Sequence, residues 1–271
     1  MKVALIQMPV TADKAENTRR AAVEIAAAAA RGADMAVLPE MFCCPYANDC
    51  FAPYSEPAGG AVWSAMSRAA RESGIYVAAG SMPERDGERV YNTSFVFAPD
   101  GTQAARHRKM HLFDIDVPGG QRFFESEVFT AGDEATVFDT PWGKLGLCIC
   151  FDVRFPELSR LMALAGAQAI IVPAAFNMTT GPAHWELAFR QRAVDNQLYT
   201  VGVAPARDEA GPYVSYGNSI VCSPWGDVVY RAGSGECAEV VELDFDRNAQ
   251  VRAQLPLLSS RRTDIYELKK K

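Results

Sequence analysis

The chain has 271 residues, 49% of them hydrophobic, and a formal net charge of −6 at pH 7. This length and hydrophobic content allow a sizeable core and argue against global disorder. The acidic balance and the lack of a long basic run argue against nucleic acid as the main partner. No apolar run approaches the roughly 18 residues of a membrane span, and the first residues lack a signal-peptide pattern.

The cysteines indicate a reducing compartment. There are seven, an odd number without the regular spacing of a disulfide framework, and we therefore expect a cytoplasmic location. Cys43, Cys44 and Cys50 are close in the chain, but no histidine is near them and no C-x-x-C pairs occur. No metal site is predicted there.

Strands and helices alternate from the start of the chain. KVALIQM is typical of a buried strand, and the pattern over residues 14–31 predicts a long helix that Gly32 ends. MAVLP predicts a strand, SAMSRAARESG a helix and IYVAAGSMPE a further strand. YNTSFVFAPDG and TQAARHRKMHL predict a hairpin with its turn at residues 99–101.

The second half continues this alternation. KLGLCIC and AIIVPAAF predict strands, PELSRLMALAGA and HWELAFRQRAVDNQ predict helices, and LYTVGVAPA, NSIVCSPWGD and AEVVELDFD complete the strands. Nine or more strands exceed what one twisted sheet carries comfortably. Because crossover helices and hairpins both occur, we predict one α/β domain over residues 1–271, with two packed mixed sheets and helices outside.

Three stretches place reactive groups in or after predicted strands. Glu40 follows a buried strand in LPEMF, Lys109 lies in the polar strand RHRKMHLFDID, and Cys150 ends a strand in LCICFDVRFPEL. Taken singly, each has an ordinary explanation as a surface carboxylate, a solvated lysine or a buried thiol. Their possible meeting in the fold is the hypothesis of interest.

The two cysteines of LCICFDVRFPEL differ in position. Cys148 lies inside the predicted strand, where burial disfavours its thiolate. Cys150 lies where the chain must turn, and free backbone N–H groups beyond it could hold an oxyanion, so it is the predicted nucleophile. A free thiol is only a few per cent ionised at neutral pH and needs a base. His184 could serve, as could Glu40 if burial raises the pKa of its carboxyl.

The stretches LPEMF, RKMHLFDID and ICFDVRFPEL, in that order, resemble the glutamate, lysine and cysteine motifs of the nitrilase superfamily of carbon–nitrogen hydrolases. The resemblance covers nearly the whole chain, from ALIQ to RRTDIYEL. It implies that Glu40 is the general base, Lys109 the cation that stabilises the intermediate, and Cys150 the nucleophile. Glu125, in FFES, matches a second glutamate that would position Lys109 and the substrate amine.

Within the superfamily, HLFDIDVPGG, FNMTTGPAHWELAFRQRAVDNQ and APARD most resemble the ω-amidase branch. This likeness implies an αββα sandwich that forms a homodimer through its helical faces, without metal or organic cofactor. It also implies small-molecule amide substrates such as 2-oxoglutaramate and 2-oxosuccinamate. The alternatives are a branch that hydrolyses deaminated glutathione or carbamoylated amines, and a non-catalytic scaffold.

Further residues are implied to surround the substrate. Tyr46, in FCCPYAND, matches a substrate-contacting tyrosine, while the neighbouring Cys43 and Cys44 occupy less characteristic positions. By the same likeness, Phe176 and Thr180 would line the pocket.

Two groups after the nucleophile complete the expected site. The backbone N–H of Phe151 would hold the oxyanion together with Lys109. Arg154 follows Cys150 by four residues, and its planar fork could bind a substrate carboxylate in two parallel hydrogen bonds. The alternative for Arg154 is a structural ion pair with Asp152 or Glu157.

Overall fold

The computed structural model describes residues 1–211 and 213–270, and in these ranges it contains fifteen strands and six α-helices. The strands are β1 (Lys2–Gln7), β2 (Met35–Val37), β3 (Tyr76–Ala78), β4 (Met82–Asp86), β5 (Arg89–Phe97), β6 (Gln103–Arg108), β7 (Asp114–Asp116), β8 (Arg122–Phe124), β9 (Thr136–Thr140), β10 (Gly143–Leu147), β11 (Ala167–Pro173), β12 (Tyr199–Val203), β13 (Ile220–Cys222), β14 (Val228–Arg231) and β15 (Cys237–Glu242). The helices are α1 (Lys14–Ala30), α2 (Asn48–Tyr54), α3 (Ala61–Ser73), α4 (Pro156–Leu164), α5 (Gly181–Asn196) and α6 (Asp246–Gln254).

Two large mixed sheets carry most of the strands. The first has the order β15–β1–β2–β3–β5–β4, with β6 also paired to β5. The second has the order β14–β13–β12–β11–β10–β9. In each sheet the central strands are parallel: β1, β2 and β3 in the first, and β10, β11 and β12 in the second. Strands β7 and β8 form a separate hairpin.

The two sheets pack face to face, and helices cover their outer faces. Val3 and Leu5 of β1 share one buried apolar layer with Leu145, Ile171 and Val201 of the second sheet. Helices α1 and α3 pack outside the first sheet, while α4 and α5 pack outside the second. The αββα arrangement expected from the sequence is confirmed.

The apolar pattern of the strands follows from this burial. The central parallel strands are covered on both faces, so KVALIQ and AQAIIVP are nearly continuous apolar runs rather than alternating ones. Helix α1 begins where the Asp13 side chain accepts a hydrogen bond from the N–H of Glu16. It ends just before Gly32, whose φ of 80° lies in the left-handed region.

The structure differs from the sequence prediction near the expected nucleophile. Strand β10 ends at Leu147, so Cys148 lies just beyond it, although its N–H still bonds the carbonyl of Ile171. Cys150 begins a 3₁₀ turn, Cys150–Arg154. The strand alternation that would put the two cysteines on one face therefore ends before Cys150.

Candidate active site

Glu40 lies in the loop after β2 and is 1% exposed. The loop turns at Met41, which has a φ of 53° and donates its N–H to Ser81 Oγ. Gly80 allows this close packing, because a Cβ at that position would lie 2.1 Å from the carbonyl oxygen of Pro39. The loop therefore delivers a carboxylate to the interior instead of the surface.

Lys109 follows β6 and is fully buried between two carboxylates. Its Nζ lies 2.9 Å from Glu40 Oε1 and 2.9 Å from Glu125 Oε2. Burial alone would lower the pKa of the ammonium, but the charges of Glu125 and Glu40 raise it above its ordinary value. Lys109 is therefore a permanent cation, and the cluster of two carboxylates and one ammonium has a net negative charge.

The two carboxylates are bonded differently. Glu125 uses both oxygens, because Oε2 accepts from the N–H of Phe113 at 2.7 Å and Oε1 from the Tyr46 hydroxyl at 2.6 Å. Glu40 Oε1 accepts from Lys109, whereas its Oε2 has no hydrogen-bond partner of ordinary geometry in the described part of the chain. Burial raises the pKa of Glu40 although the Lys109 charge lowers it. Glu40 thus has a free, basic oxygen, and Glu125 has none.

Cys150 is held in a strained turn against Glu40. Its φ is 48°, in a region that non-glycine residues rarely occupy. The thiol is buried, interacts with Glu40, and lies 3.5 Å from the N–H of Ala175. Burial and the Glu40 charge raise the pKa of Cys150 well above its ordinary value, against the effect of Lys109. The thiol is therefore protonated at rest and needs a base, which Glu40 can supply.

The 3₁₀ turn leaves a donor beside the sulfur. Its first hydrogen bond runs from the N–H of Asp152 to the carbonyl of Ile149, so the N–H of Phe151 has no partner within the turn. The oxyanion role expected for Phe151 stays a prediction.

Asp152, within the 3₁₀ turn, connects the turn to two histidines. It is fully buried and accepts from His107 Nε2 at 2.9 Å, His111 Nδ1 at 2.7 Å and the N–H of Ile149 at 3.1 Å. Burial alone would raise the pKa of Asp152, but these hydrogen bonds from both histidines hold it well below its usual range. The cluster of Asp152, His107 and His111 supports the turn and was not predicted from the sequence.

Arg154 lies beside the nucleophile without an acidic partner in the described residues. Its guanidinium is 4.4 Å from the ring centroid of Phe176 and 3.0 Å from His184 Nδ1. The charge of Cys150 is among the influences on its pKa, which burial lowers. The ion pair with Asp152 or Glu157 is not formed, and His184 contacts Arg154 instead of serving Cys150 as a base.

Two site residues were not predicted from the sequence. Asn92 of β5 donates to Glu40 Oε1 at 2.8 Å. Tyr213 is 4.5 Å from Tyr46 between ring centroids, and its hydroxyl donates to the carbonyl of Ala175. A polar residue inside the apolar strand YNTSFVF was a usable signal for Asn92, since buried polar groups need partners. A tyrosine in a loop gave no such signal.

The remaining expected pocket residues have mixed surroundings. Phe176 is 3% exposed and packs edge-on against Trp185, with Arg154 over its ring, so it belongs to both the core and the site. Thr180 lies at the start of α5, where its hydroxyl and N–H both bond Asn177 Oδ1. Its hydroxyl proton is therefore used, whereas its oxygen can still accept a hydrogen bond.

A cavity of about 70 Å³ borders the site on the Glu40 side. Glu40, Cys44, Tyr46, Ala175 and Tyr213 are among its lining residues.

Burial raises the pKa of Cys43 to about 12 and that of Cys44 further. Both thiols are therefore protonated at neutral pH.

Comparison with known proteins identifies the family. The family model described as carbon-nitrogen hydrolase matches residues 2–253. The chain is a carbon-nitrogen hydrolase. Omega-amidase NIT2-A of Xenopus laevis is 48% identical to this hydrolase over 270 residues, which cover 100% of this chain and 98% of that protein. Omega-amidase NIT2 of Homo sapiens is 45% identical with the same coverage.

Solved structures agree with this assignment. Nit3 of Saccharomyces cerevisiae, described as a member of the nitrilase superfamily, is 40% identical with a TM-score of 0.89, covering 97% of this hydrolase and 96% of that chain. An amidase from Nesterenkonia sp. AN1 is 26% identical with a TM-score of 0.81, covering 98% and 95%. This hydrolase thus belongs to the ω-amidase branch of the nitrilase superfamily and is an enzyme that acts on amide carbon–nitrogen bonds.

Two absences concern residues 1–211 and 213–270 of the hydrolase. No cluster of three or more His, Cys, Asp or Glu side chains there is arranged to hold a metal ion. In the same ranges, every helix is too short or too polar to cross a bilayer.

Proposed function

We propose that this hydrolase is an ω-amidase that cleaves the terminal amide of small carboxylated amides, such as 2-oxoglutaramate or 2-oxosuccinamate, to the acid and ammonia. The observation that carries the proposal is the buried Cys150 thiol, which interacts with Glu40 while Lys109 donates to Glu40 Oε1. The omega-amidase names of the curated relatives support the substrate class. A solved amidase with an acetamide moiety bound to its active-site cysteine supports a cysteine nucleophile.

Acylation begins with proton transfer from the thiol to Glu40. The sulfur of Cys150 attacks the amide carbon, and the carbonyl oxygen takes the negative charge. Lys109 and the N–H of Phe151 stabilise this oxyanion, and one such donor is typically worth about 3–4 kcal/mol. Glu40 then gives its proton to the nitrogen as the carbon–nitrogen bond breaks, so that ammonia leaves and a thioester remains.

Deacylation uses the same groups with water as the nucleophile. Glu40 removes a proton from water, the hydroxide adds to the thioester carbon, and a second oxyanion forms at the same donors. Collapse of this intermediate breaks the carbon–sulfur bond, and Glu40 returns the proton to the sulfur. Glu125, whose oxygens are both bonded, keeps Lys109 in place through the cycle.

Arg154 is proposed to bind the substrate carboxylate. It lies against Phe176 near Cys150, its Nε is buried without a partner, and no carboxylate of the described chain pairs with it. A guanidinium in such a place gains two charge-assisted hydrogen bonds when a carboxylate enters. The amide end then meets the thiol while the acid end meets Arg154.

The carboxylate-binding role of Arg154 is tested by assaying the variant Arg154→Gln on a carboxylated amide and on a neutral amide of equal length. Loss of the charged contact should lower kcat/KM for the carboxylated amide about 10- to 100-fold and leave the neutral amide nearly unchanged. Arg160→Gln is the control, because Arg160 lies on α4 and bonds the carbonyl of Asp195. Equal losses on both amides would contradict the carboxylate role.

A panel of amides decides between the branches. Ammonia release should be fastest from 2-oxoglutaramate or 2-oxosuccinamate. Comparable rates on deaminated glutathione, or release from carbamoylated amines, together with poor rates on the keto-acid amides, would favour the alternative branches.

The rate of cysteine alkylation distinguishes a catalytic protein from a non-catalytic scaffold. At neutral pH, mass spectrometry should show faster modification of Cys150 than of the half-buried Cys237, because Glu40 assists removal of the Cys150 proton. Equal rates at the two thiols would favour a non-catalytic role.

The single domain over residues 1–271, the homodimer and the cytoplasmic location stay predictions.

A further inference from the structure

The amide of Asn92 contacts both carboxylates of the site. Its Nδ2 lies 2.8 Å from Glu40 Oε1 and 3.5 Å from Glu125 Oε1. Because an ionised carboxylate only accepts hydrogen bonds, the amide nitrogen must face it. Asn92 pairs with Pro83 in the β4–β5 ladder, and its carbonyl accepts from the N–H of Lys109 at 2.8 Å. The backbone therefore holds this donor in place.

Oε1 of Glu40 is fully used by two donors. A carboxylate oxygen has two lone-pair sites, and those of Oε1 face Lys109 Nζ at 2.9 Å and Asn92 Nδ2 at 2.8 Å. The Tyr46 hydroxyl has one proton, and its shorter contact is to Glu125, at 2.6 Å against 3.3 Å to Glu40. A proton leaving the Cys150 thiol therefore goes to Oε2 of Glu40.

We infer that Asn92 is a positioning residue for the proposed hydrolysis, whose amide fixes the rotation of the Glu40 carboxylate so that Oε2 faces Cys150. Lys109 alone does not fix that rotation, because its ammonium is shared between two carboxylates and sits on a flexible stem. Asn92 Oδ1 is buried without a partner among the described residues, which costs stability. The contact with the carboxylates offsets that cost.

The inference predicts a defined change in pH dependence. A hydrogen bond to an ionised carboxylate lowers its pKa, so loss of the Asn92 donor raises the pKa of Glu40 further. The base must be ionised in the free enzyme, and the acidic limb of kcat/KM therefore moves to higher pH. A role in packing alone would leave that limb in place.

The test uses Asn92→Ala and the isosteric Asn92→Asp. Asn92→Ala should lower kcat about 10- to 100-fold with little change in KM, as expected for one hydrogen bond to a charged group. Asn92→Asp adds a third carboxylate and should move the acidic limb further. Ser94→Ala is the matched control, because Ser94 lies two residues along β5, is fully buried and has an unpartnered hydroxyl within the described ranges.

Alkylation of Cys150 by 2-chloroacetamide across a pH series gives a second readout that needs no substrate. Both Asn92 variants should slow modification and shift its pH dependence, whereas Ser94→Ala should match the wild type. If the wild type releases ammonia from no amide, the proposed function fails, and alkylation still decides the role of Asn92. The inference would be overturned if Asn92→Asp had the alkylation rate and pH profile of the wild type, or if Ser94→Ala showed the same shift as the Asn92 variants. These two outcomes can be measured even if Asn92→Ala does not fold.

Discussion

Two buried carboxylates beside Cys150 are bonded in opposite ways. Asp152 accepts hydrogen bonds on both oxygens, from His107, His111 and the N–H of Ile149, and its pKa is held low. Glu40 accepts on one oxygen only and its pKa is raised. A fully bonded carboxylate stabilises a turn, whereas a carboxylate with one free oxygen can move a proton. The contrast separates structural from chemical roles without reference to any relative.

One stretch of chain supplies both clusters. His107 lies in β6, and Lys109 and His111 follow the strand at intervals of two residues. The histidines bond Asp152, and the lysine between them bonds Glu40. The position of the Cys150 turn is therefore coupled to the position of the lysine.

The largest expected effect is on turnover. Cys150→Ala should reduce ammonia release to background, because no other described thiol contacts Glu40. Cys148→Ala is the control, since Cys148 is buried just beyond β10 and should cost only about 1 kcal/mol of unfolding free energy. Activity that survives Cys150→Ala but not Cys148→Ala would reverse the two roles.

The next effect concerns stability. Lys109→Met leaves Glu40 and Glu125 buried without a cation, which typically costs about 3–5 kcal/mol. Burial already raises the folded pKa of the Glu40 carboxyl, and loss of the Lys109 charge would raise it further above the unfolded value of about 4.3, so the variant should lose stability as the pH rises above that value. Urea unfolding at several pH values measures this.

Lys144→Met is the control for that series, because Lys144 is exposed on β10. Its unfolding free energy should stay within about 0.5 kcal/mol of the wild type. If the stability of Lys109→Met did not depend on pH in this way, another group would have to neutralise the charge of the two carboxylates.

The smallest expected effect tests the structural cluster. The folded pKa of Asp152 is depressed, so its stabilising contribution is present above the unfolded value of about 3.9 and is lost as the pH falls through the folded pKa. Asp152→Asn should therefore cost about 1.5–3 kcal/mol at neutral pH, with a gap to the wild type that narrows below about pH 4. Thermal unfolding across pH measures this difference in stability. If Asp152→Asn lost turnover but kept the stability of the wild type, Asp152 would have a catalytic role instead of a structural one.

Much of the fold was predictable where the sequence pattern is long and periodic. Helix α1 begins at Lys14 as predicted and ends one residue earlier, and the β5–β6 hairpin turns at residues 99–101. The β7–β8 hairpin and α2 were not predicted. The three residues of β7 and of β8 include charged ones, unlike the apolar three of β2, and the seven-residue α2 contains Pro53, so neither the hairpin nor α2 gives a clear periodic signal.

The site was predictable only in part. Glu40, Lys109, Cys150 and Glu125 meet as the family resemblance implied. The choice of Glu40 Oε2 as the basic atom depends on which donors reach each oxygen, and sequence spacing does not encode that geometry. The support of the turn by Asp152 likewise needs strands and loops far apart in the chain to be placed together.

The unequal number of carboxylates and ammonium groups has a consequence for turnover. In the proposed reaction the uncharged amide end of the substrate becomes an acid, and this new anion forms beside Glu40 and Glu125, which share a single Lys109. Like charges at such short range repel, so the site holds its product less firmly than its substrate. The charge imbalance therefore helps to empty the pocket for the next molecule.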